Sequence, residues 1–322
     1  MIEGHRDDAY KYQDIRSDFS SNICAHGSHR GLLDHLAAHP ELIDHYPEPE
    51  AWSLEKMIAE RHGISPRQVL VTSGATEAIY LIAQTFRLRH VVPEPTFSEY
   101  ADAYLPYSLN LNSRTILWLC NPNNPTGEVY DQLYIDRMMA EHELVVLDQS
   151  YENYTDAPVM SPRWGCRMSN LIQIHSMTKD YGVPGLRLGY ITAHESLTEQ
   201  IRRHMHPWSV SALAIEAGKY LLCHDELICR PDLQEAKRLA DRLRQMVEIT
   251  VAPTQTNFML CRLRHSCAAE LKDYLAKEHH ILIRDASNFR GLTPQHFRIA
   301  AQTASENDDL VRAIAEFIEG GR

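Results

Sequence analysis

Apolar and polar residues follow two different periods along the chain, and the alternation between them predicts the fold class. QVLVTSG, TILWLCNP, HELVVLDQSY and LRLGYITA are short apolar runs that end in turn residues, as buried strands do. SLEKMIAERHG, which stops at Gly63, and ATEAIYLIAQTF have the spacing of amphipathic helices. Strands and helices in alternation predict an α/β fold with a mainly parallel central sheet.

The pattern changes after about residue 225, where the charged helix DLQEAKRLADRLRQMV begins a mixture of helices and short strands. Such a mixture is typical of a smaller α+β domain. We therefore predict an N-terminal arm over residues 1–28 that packs with the small domain, a large domain over 29–224, and a small C-terminal domain over 225–322.

The composition narrows the function classes. The 322 residues carry a formal net charge of −11, which argues against nucleic-acid binding and against binding to an anionic membrane surface. No apolar run has transmembrane length, and the first residues lack a signal-peptide core. The seven cysteines have no Cys-x-x-Cys spacing, which favours a cytoplasmic location, and the 18 histidines have no metal-ligand spacing, so we predict no metal site.

Candidate chemistry falls at the predicted strand ends, where sheets of this kind bind ligands. In TSGATEAIY, Gly74 permits a tight turn, and Ala75 and Thr76 begin a helix whose free N–H groups favour a phosphate. A plain strand–helix connector would have the same pattern. In CNPNNPTG, two Asn-Pro steps hold Asn124 in a rigid loop, which a structural turn alone also explains.

Two further predicted strands end in an acid and in a lysine. Asp148, with Tyr151 three residues later, ends a buried apolar run and needs a partner unless it caps a helix. Lys179 has neighbours that suit a phosphate, namely Ser176, Thr178 and Arg187. A lysine there suits a Schiff base once its pKa is lowered, and Asp148 suits a pyridinium nitrogen. These residue types together point to pyridoxal phosphate.

Three stretches, CNPNNPTG, LDQSY and SMTKDYGVPGLRLGY, resemble the signatures of fold-type I pyridoxal-phosphate enzymes of the class I/II aminotransferase group. Their order agrees, with 24 positions from Asn124 to Asp148 and 31 from Asp148 to Lys179. The resemblance covers most of the chain. It implies the fold-type I transferase architecture, a pyridoxal 5′-phosphate cofactor, and catalysis by Lys179, Asp148 and Tyr151.

The resemblance implies a role for each matching residue. Lys179 would form the Schiff base, Asp148 would pair with the pyridine nitrogen, and Asn124 and Tyr151 would bind the phenolic oxygen. Phe97 would stack on the ring. The phosphate would be held by residues near the first turn and near the lysine: Gly74, Ala75, Thr76, Ser176, Thr178 and Arg187.

Further implied roles concern the substrate and a second subunit. Arg298, in HFRIA, would bind the substrate α-carboxylate. Tyr46, in DHYPEPE, would reach the cofactor phosphate of a neighbouring subunit, which makes the active unit a homodimer with shared sites. Arg284 is the best candidate for a second anion contact, and His5 and Asn22 would close the pocket from the arm. Structural or surface roles explain these last three residues equally well.

Within the group, the chain resembles two branches. HYPEPEAWSLEKMIAERHGI and the small size suit histidinol-phosphate aminotransferases. Three stretches are similar to threonine-phosphate decarboxylases of cobalamin synthesis: DFSSNI, PWSVSALAIEAG, and ILIRDASNFRGL followed by HFRIAAQTASEN. The last stretch is long and specific, and it favours that branch. Both branches act on a small phosphorylated amine or amino acid.

Two features depart from the group: a short stretch between Glu94 and Cys120, and Gln149–Ser150 in place of the usual Glu-Ala. Because of the short stretch, the identity of the substrate stays open. Decarboxylation and transamination also stay open, because the outcome depends on which bond at the substrate Cα stands perpendicular to the cofactor ring. A protein of this fold that binds without catalysis is a further alternative.

Overall fold

Two main β-sheets, of six and four strands, and a two-stranded ladder organise the described part of the chain. The computed structural model describes residues 11–23, 29–108 and 110–320. Its strands are β1 (Ser17–Asp18), β2 (Val69–Thr72), β3 (Leu88–Val91), β4 (Asn110–Cys120), β5 (Leu144–Asp148), β6 (Leu171–His175), β7 (Gly189–Ala193), β8 (Ile249–Val251), β9 (Phe258–Leu263), β10 (Ile281–Leu282), β11 (Arg284–Asp285) and β12 (His296–Ala300). Its α-helices are α1 (Arg30–Ala37), α2 (Trp52–His62), α3 (Gly74–Thr85), α4 (Glu99–Asp102), α5 (Gln132–Glu141), α6 (Pro162–Gly165), α7 (Met177–Asp180), α8 (Glu195–Arg202), α9 (Ala212–Leu222), α10 (Leu233–Arg244), α11 (Ala268–Glu278) and α12 (Ala304–Gly320).

The six-stranded sheet has the order β2-β7-β6-β5-β4-β3, and β3 to β6 are parallel to one another. β7 is antiparallel to both of its neighbours. The predicted α/β fold with a mainly parallel central sheet is therefore confirmed. The predicted helix stop is also confirmed, because α2 ends at His62 and Gly63 takes the left-handed conformation at φ 63°.

Helices cover the six-stranded sheet on both faces, because its central strands are apolar on both sides. On one face, Trp118 of β4 packs in a cluster with Ile82 of α3. On the other face, Leu119 of β4 packs in a cluster with Ile135 of α5. Each fully buried side chain of this kind contributes about 1.5–3 kcal/mol, so the two layers fix the strand ends relative to one another. Every helix among the described residues is too short or too polar to cross a bilayer.

The register of the parallel strands brings candidate residues to one edge of the sheet. Cys120 lies opposite Asp148, and Asp148 lies opposite Ile174, so β4, β5 and β6 end together. Lys179 is not at the end of a strand, as the sequence suggested, but in the short helix α7. The reason is a turn at Ser176, whose carbonyl accepts a hydrogen bond from the N–H of Lys179 at 3.0 Å.

The four-stranded sheet is antiparallel and has the order β11-β12-β9-β8. It shares a core with α10, α11 and α12, and Phe19 from the N-terminal segment is fully buried in that core. Next to it, β1 pairs with β10 in parallel, and the carbonyl of Phe19 accepts a hydrogen bond from the N–H of Ala300 at 2.9 Å. The segment Ser17–Phe19 therefore packs with the C-terminal elements, while the domain boundaries stay a prediction.

Candidate active site

Two adjoining cavities lie beyond the shared end of β4, β5 and β6. We call the first, of about 330 Å³, the strand-end cavity and the second, of about 320 Å³, the arm cavity. Their linings share residues, among them Asn124, Tyr151 and Lys179. The strand-end cavity is lined by residues that the sequence singled out: Ala75, Thr76, Phe97, Asn124, Asp148, Tyr151, Ser176, Thr178, Lys179 and Arg187.

Asp148 is a buried carboxylate at the end of β5. Its Oδ2 accepts a hydrogen bond from the Tyr100 hydroxyl at 2.7 Å, and its Oδ1 accepts one from the backbone N–H of Ser150 at 2.9 Å. Burial raises the pKa of Asp148, and these hydrogen bonds oppose the rise. A cationic group beside this carboxylate, such as a protonated pyridine nitrogen, would compensate the buried charge.

The N-terminus of α3 and two nearby side chains form a cradle for an anion. Gly74 begins α3 at φ 79°, and a Cβ at this position would lie 2.7 Å from Nη2 of Arg187. The guanidinium therefore lies across the glycine, beside the first N–H groups of the helix, which have no helical acceptors. Thr178 is buried, and its hydroxyl has no hydrogen-bond partner among the described residues. A bound phosphate would satisfy all three kinds of donor.

Lys179 lies between the two cavities. Its Nζ donates a hydrogen bond to the backbone carbonyl of Ser21 at 3.0 Å and lies 5.7 Å from the centre of the Tyr151 ring. The backbone carbonyl of Lys179 accepts a hydrogen bond from the Tyr154 hydroxyl at 2.9 Å. The amine therefore borders both cavities, within reach of a ligand that spans them.

Tyr151 and Asn124 form the boundary between the cavities. Burial raises the pKa of Tyr151 to about 12, so its hydroxyl keeps its proton and donates to an acceptor at neutral pH. Oδ1 of Asn124 accepts a hydrogen bond from Nη1 of Arg298 at 2.6 Å. Asn124 therefore connects the strand-end cavity to an arginine of the arm cavity.

The arm cavity contains two buried arginines, Arg284 and Arg298. Arg298 also donates to the backbone carbonyl of Ser20, and burial lowers the pKa of its guanidinium to about 10, with a further lowering by the charge of Arg284. Arg284 donates to Oδ1 of Asn288 at 3.2 Å and lies over the ring of Phe289, 5.8 Å from its centre. Asp18 supplies one carboxylate to the same cavity and raises the pKa of Arg298, so the two guanidinium groups leave a net positive charge that favours an anionic ligand.

Three other predicted site residues are not among the described residues that line the two cavities. Tyr46 is 84% exposed, with its ring 5.1 Å from the ring of Trp208, and is not among the described residues that line the two cavities. Asn22 is fully buried at φ 59°, its chain neighbours line the arm cavity, and its side chain lies close enough to the Tyr151 hydroxyl to lower the pKa of that group. His5 lies outside the described residues.

Sequence reasoning missed several residues of the site. Tyr100 lies in EPTFSEY, beside the residue that the resemblance assigned to ring stacking, and this closeness was an available signal. Ser20 and Ser21 take part through backbone carbonyls, for which a sequence gives no signal. Asn288 and Phe289 lie in ILIRDASNFRGL, which the resemblance had singled out as a stretch. Within the described ranges, no three His, Cys, Asp or Glu side chains are grouped to hold a metal ion.

The strand-end cavity fits pyridoxal phosphate group by group. The cradle at α3 suits the phosphate, Asp148 suits the ring nitrogen, Tyr151 suits the phenolic oxygen, and Lys179 suits the aldehyde. The unsatisfied hydroxyl of Thr178 and the space kept open by Gly74 are the observations that favour a phosphate here. A volume of about 330 Å³ is within the range of ligand pockets.

Comparisons with known proteins agree with this chemistry. The model of the aminotransferase class I and II family matches residues 107–314. The crystal structure of L-threonine-O-3-phosphate decarboxylase from Porphyromonas gingivalis is similar to this chain, with a TM-score of 0.89, 36% sequence identity, and coverage of 94% of this chain and 99% of that one.

Two curated relatives represent the two branches. The threonine-phosphate decarboxylase of Salmonella typhimurium is 27% identical over an alignment of 345 positions, which covers 94% of this chain and 91% of the relative. The histidinol-phosphate aminotransferase of Thermoanaerobacter sp. is 28% identical over 308 residues, which span 86% of this chain and 85% of the relative.

Proposed function

The chain belongs to the aminotransferase class I and II family of pyridoxal-phosphate-dependent enzymes, and from this premise we propose that it decarboxylates threonine phosphate. Two relatives named for this reaction, one of them 36% identical over nearly its whole length, support the proposal. The reaction breaks the bond between Cα and the carboxylate, releases carbon dioxide, and places a proton on Cα, which gives aminopropanol phosphate.

The observation that carries the proposal is the pair of buried arginines in the arm cavity. Threonine phosphate has two anionic groups, a carboxylate and a phosphate, and Arg298 and Arg284 supply one guanidinium for each. Lys179 borders the same cavity, so the amine of such a substrate would lie close to the residue that holds the cofactor.

The residues of the chain divide the chemical work. Bound pyridoxal phosphate supplies an electron-withdrawing ring that stabilises negative charge at the substrate Cα. Asp148 would keep a proton on the ring nitrogen, and Arg298, which is held by Oδ1 of Asn124 and the carbonyl of Ser20, would bind and orient the substrate carboxylate. Lys179 is placed to deliver the proton that replaces the carboxylate.

Product analysis tests the proposal directly. Purified protein loaded with pyridoxal phosphate is mixed with threonine phosphate, and carbon dioxide and aminopropanol phosphate are measured. We expect both products in equal amounts. Turnover of threonine phosphate without carbon dioxide release would contradict decarboxylation.

The second candidate is transamination of histidinol phosphate, which the similarity to histidinol-phosphate aminotransferases favours. The same protein is mixed with histidinol phosphate and 2-oxoglutarate, and glutamate is measured. Glutamate formation in the absence of reaction with threonine phosphate would replace the first proposal with the second.

The absorbance of the bound cofactor distinguishes an enzyme from a protein of this fold that binds a ligand without catalysis. We infer that Lys179 holds pyridoxal phosphate covalently, which gives a yellow absorbance that an amine substrate shifts. Lys179→Ala abolishes this absorbance, and borohydride reduction of the native protein fixes the pyridoxyl group on Lys179. Recovery of the label on another lysine would contradict the assignment.

We infer further that the active unit is a homodimer with shared sites. The exposed side chains of Tyr46 and Trp208, whose ring centres lie 5.1 Å apart, support a subunit contact, because large apolar groups close together favour burial against a partner. In mixed dimers of Lys179→Ala and Tyr46→Phe chains, one site of the two has both native residues. We expect the mixture to regain activity, and a fully active monomer in ultracentrifugation would contradict shared sites.

The remaining expectations about partners and location stay proposals. The net charge of −11 supports the absence of nucleic-acid and membrane partners. The free thiols of the described cysteines support a cytoplasmic location.

A further inference from the structure

The turn that follows Tyr151 contacts the segment around Lys179 through three consecutive side chains. Oε1 of Glu152 lies 2.9 Å from Nδ1 of His175. Nδ2 of Asn153 donates a hydrogen bond to Oδ1 of Asp180 at 2.8 Å. The hydroxyl of Tyr154 donates a hydrogen bond to the backbone carbonyl of Lys179 at 2.9 Å.

 The three contacts span 23, 27 and 25 positions along the chain in that order, so they link the chain after β5 to the last residue of β6, His175, and to the helix α7 that follows it.

The partners in these contacts are well buried. Tyr154 and His175 are fully buried, and Asp180 is buried as well. Burial and the nearby charge of Glu152 raise the pKa of Asp180. The hydrogen bond from Asn153 acts in the opposite direction, because it stabilises the charged form of this buried carboxyl group. Contacts of this kind contribute most where water is excluded.

The helix that carries Lys179 needs such support from outside. α7 has only four residues, Met177–Asp180, and a helix of one turn is not stable by itself. The position of the Lys179 backbone therefore depends on neighbouring elements. The turn Glu152–Tyr154 is itself held to Tyr151 and to the end of β5, because the N–H of Glu152 donates to the carbonyl of Gln149 and the N–H of Tyr154 donates to the carbonyl of Tyr151, both at 2.9 Å.

We propose that Glu152, Asn153 and Tyr154 form a clamp of positioning residues, which fixes the backbone of Lys179 relative to Asp148 and Tyr151. The proposal rests on the proposed function, since it concerns the lysine that holds the cofactor. The clamp sets the distance between the amine and the groups that hold the cofactor ring. It touches neither the cofactor nor the substrate, and it acts through Lys179.

The binding of two ligands distinguishes this positioning role from a general contribution to the stability of the fold. Pyridoxal 5′-phosphate has an aldehyde that bonds to the lysine, whereas pyridoxine 5′-phosphate has an alcohol there and cannot. Both use the phosphate cradle, Asp148 and Tyr151. A defect confined to the lysine therefore weakens the binding of the aldehyde and leaves the binding of the alcohol unchanged.

The experiment uses the full chain, freed of cofactor, and the variants Tyr154→Phe, Asn153→Ser and Glu152→Gln. Tyr12→Phe is the matched control, because the Tyr12 hydroxyl donates to Asp273 at 2.6 Å, in contact with α11. Absorbance at the wavelength of the lysine-bound cofactor gives the rate and extent of bond formation, and fluorescence titration gives the affinity for pyridoxine phosphate.

Loss of one such hydrogen bond corresponds to about a three- to tenfold change in an equilibrium constant. We expect the clamp variants to bind pyridoxal phosphate three- to tenfold more weakly or more slowly, with native affinity for pyridoxine phosphate and with no change in Tyr12→Phe. Equal weakening of both ligands, or native binding of both, overturns the clamp. If Tyr154→Phe does not fold, the other two variants decide. A native protein that forms no bond through Lys179 overturns the proposed function as well, which distinguishes the two failures.

Discussion

Arg284 and Arg298 lie directly opposite each other on the antiparallel strands β11 and β12. The exposed fractions of these two residues are only 8% and 5%. Two guanidinium groups in such a pair repel each other in a site that water screens poorly. An anionic ligand would reduce this cost, which supports the proposal that the pair recognises a molecule with two negative groups.

Removal of one arginine should therefore affect substrates according to their charge. Arg284→Ala should lower kcat/KM for threonine phosphate by about one to two decades, because a charge-assisted hydrogen bond contributes roughly 1.5–3 kcal/mol. The same change should leave the binding of unphosphorylated threonine nearly unaffected. Steady-state kinetics with threonine phosphate, and competition by threonine, measure the two effects.

Arg290→Ala is the control for this comparison. Arg290 lies in the loop between β11 and β12, but it pairs with Asp102 at 3.0 Å and is not among the described residues of the arm cavity. Its loss should affect both ligands little. If Arg284→Ala weakens both ligands to the same degree, Arg284 has a structural role and the phosphate assignment is wrong.

A second prediction concerns the glycine of the anion cradle. Gly74→Ala places a Cβ 2.7 Å from Nη2 of Arg187 and forces an alanine to φ 79°. The left-handed conformation costs roughly 1–2 kcal/mol, and the guanidinium must move away from the helix N-terminus. We expect lower stability of the cofactor-free chain and about tenfold weaker binding of pyridoxal phosphate, measured by urea unfolding and by absorbance titration.

Gly185→Ala is the matched control, because a Cβ at Gly185 meets no atom within 4 Å. This variant should bind the cofactor as the native chain does. Native cofactor affinity in Gly74→Ala would show that the space at this glycine is not needed for the phosphate.

A third prediction follows from a half-buried histidine, His62, whose neutral form the structure favours. Burial and the neighbouring His175 lower the pKa of His62 from 6.5 to about 4, against a smaller opposing effect of Glu152. Between these two pKa values the unfolded chain binds more protons than the folded chain. His62 therefore stabilises the folded chain less as the pH falls from 6.5 towards 4, by at most roughly 3 kcal/mol.

The test compares unfolding free energies of native, His62→Gln and His265→Gln chains across that range of pH. His62→Gln should lose less stability on acidification than the native chain. His265, with a side chain that is 76% exposed, serves as the control, and its substitution should leave the slope nearly native. A native slope in His62→Gln would contradict the burial argument.

The sequence predicted the strand-end cavity well for a physical reason. Asp148 ends β5, and Ser176 directly follows β6, so parallel pairing alone brings them to one edge of the sheet. The roles assigned to individual residues stay predictions, because their tests are chemical. Tyr46 shows the limit of single-chain geometry, since its assigned partner is in another subunit.

Contacts between segments that are distant along the chain could not be predicted from the sequence. The bond from Arg298 to Asn124 spans 174 positions, and no local pattern encodes it. The carbonyl of Ser21, which accepts from Lys179, carries no side-chain signature. The opposition of Arg284 and Arg298 depends on the register of β11 and β12, which the intervening loop sets.

The last prediction concerns the hydrogen bond from Tyr100 to Asp148. Burial raises the pKa of Asp148, so above the ordinary carboxyl pKa the folded chain binds more protons than the unfolded chain. The buried acid therefore costs stability as the pH rises through its folded pKa. The Tyr100 hydroxyl reduces this cost, because at 2.7 Å it donates to the charged form.

Tyr100→Phe keeps the aromatic packing against Trp118, 5.2 Å away between ring centres, and removes only the donor. The pKa of Asp148 should then rise further, and the loss of stability in the cofactor-free chain should be larger at pH 8 than at pH 5. The difference should be about 1 kcal/mol, since a hydrogen bond to a charged group contributes roughly that much more free energy than a neutral one.

Tyr104→Phe is the control, because the Tyr104 hydroxyl accepts a hydrogen bond from the Trp118 indole at 3.2 Å rather than donating to a carboxylate. The cost of this substitution should therefore be the same at both pH values. Equal costs at the two pH values in Tyr100→Phe would mean that Asp148 keeps its charge state without this hydroxyl.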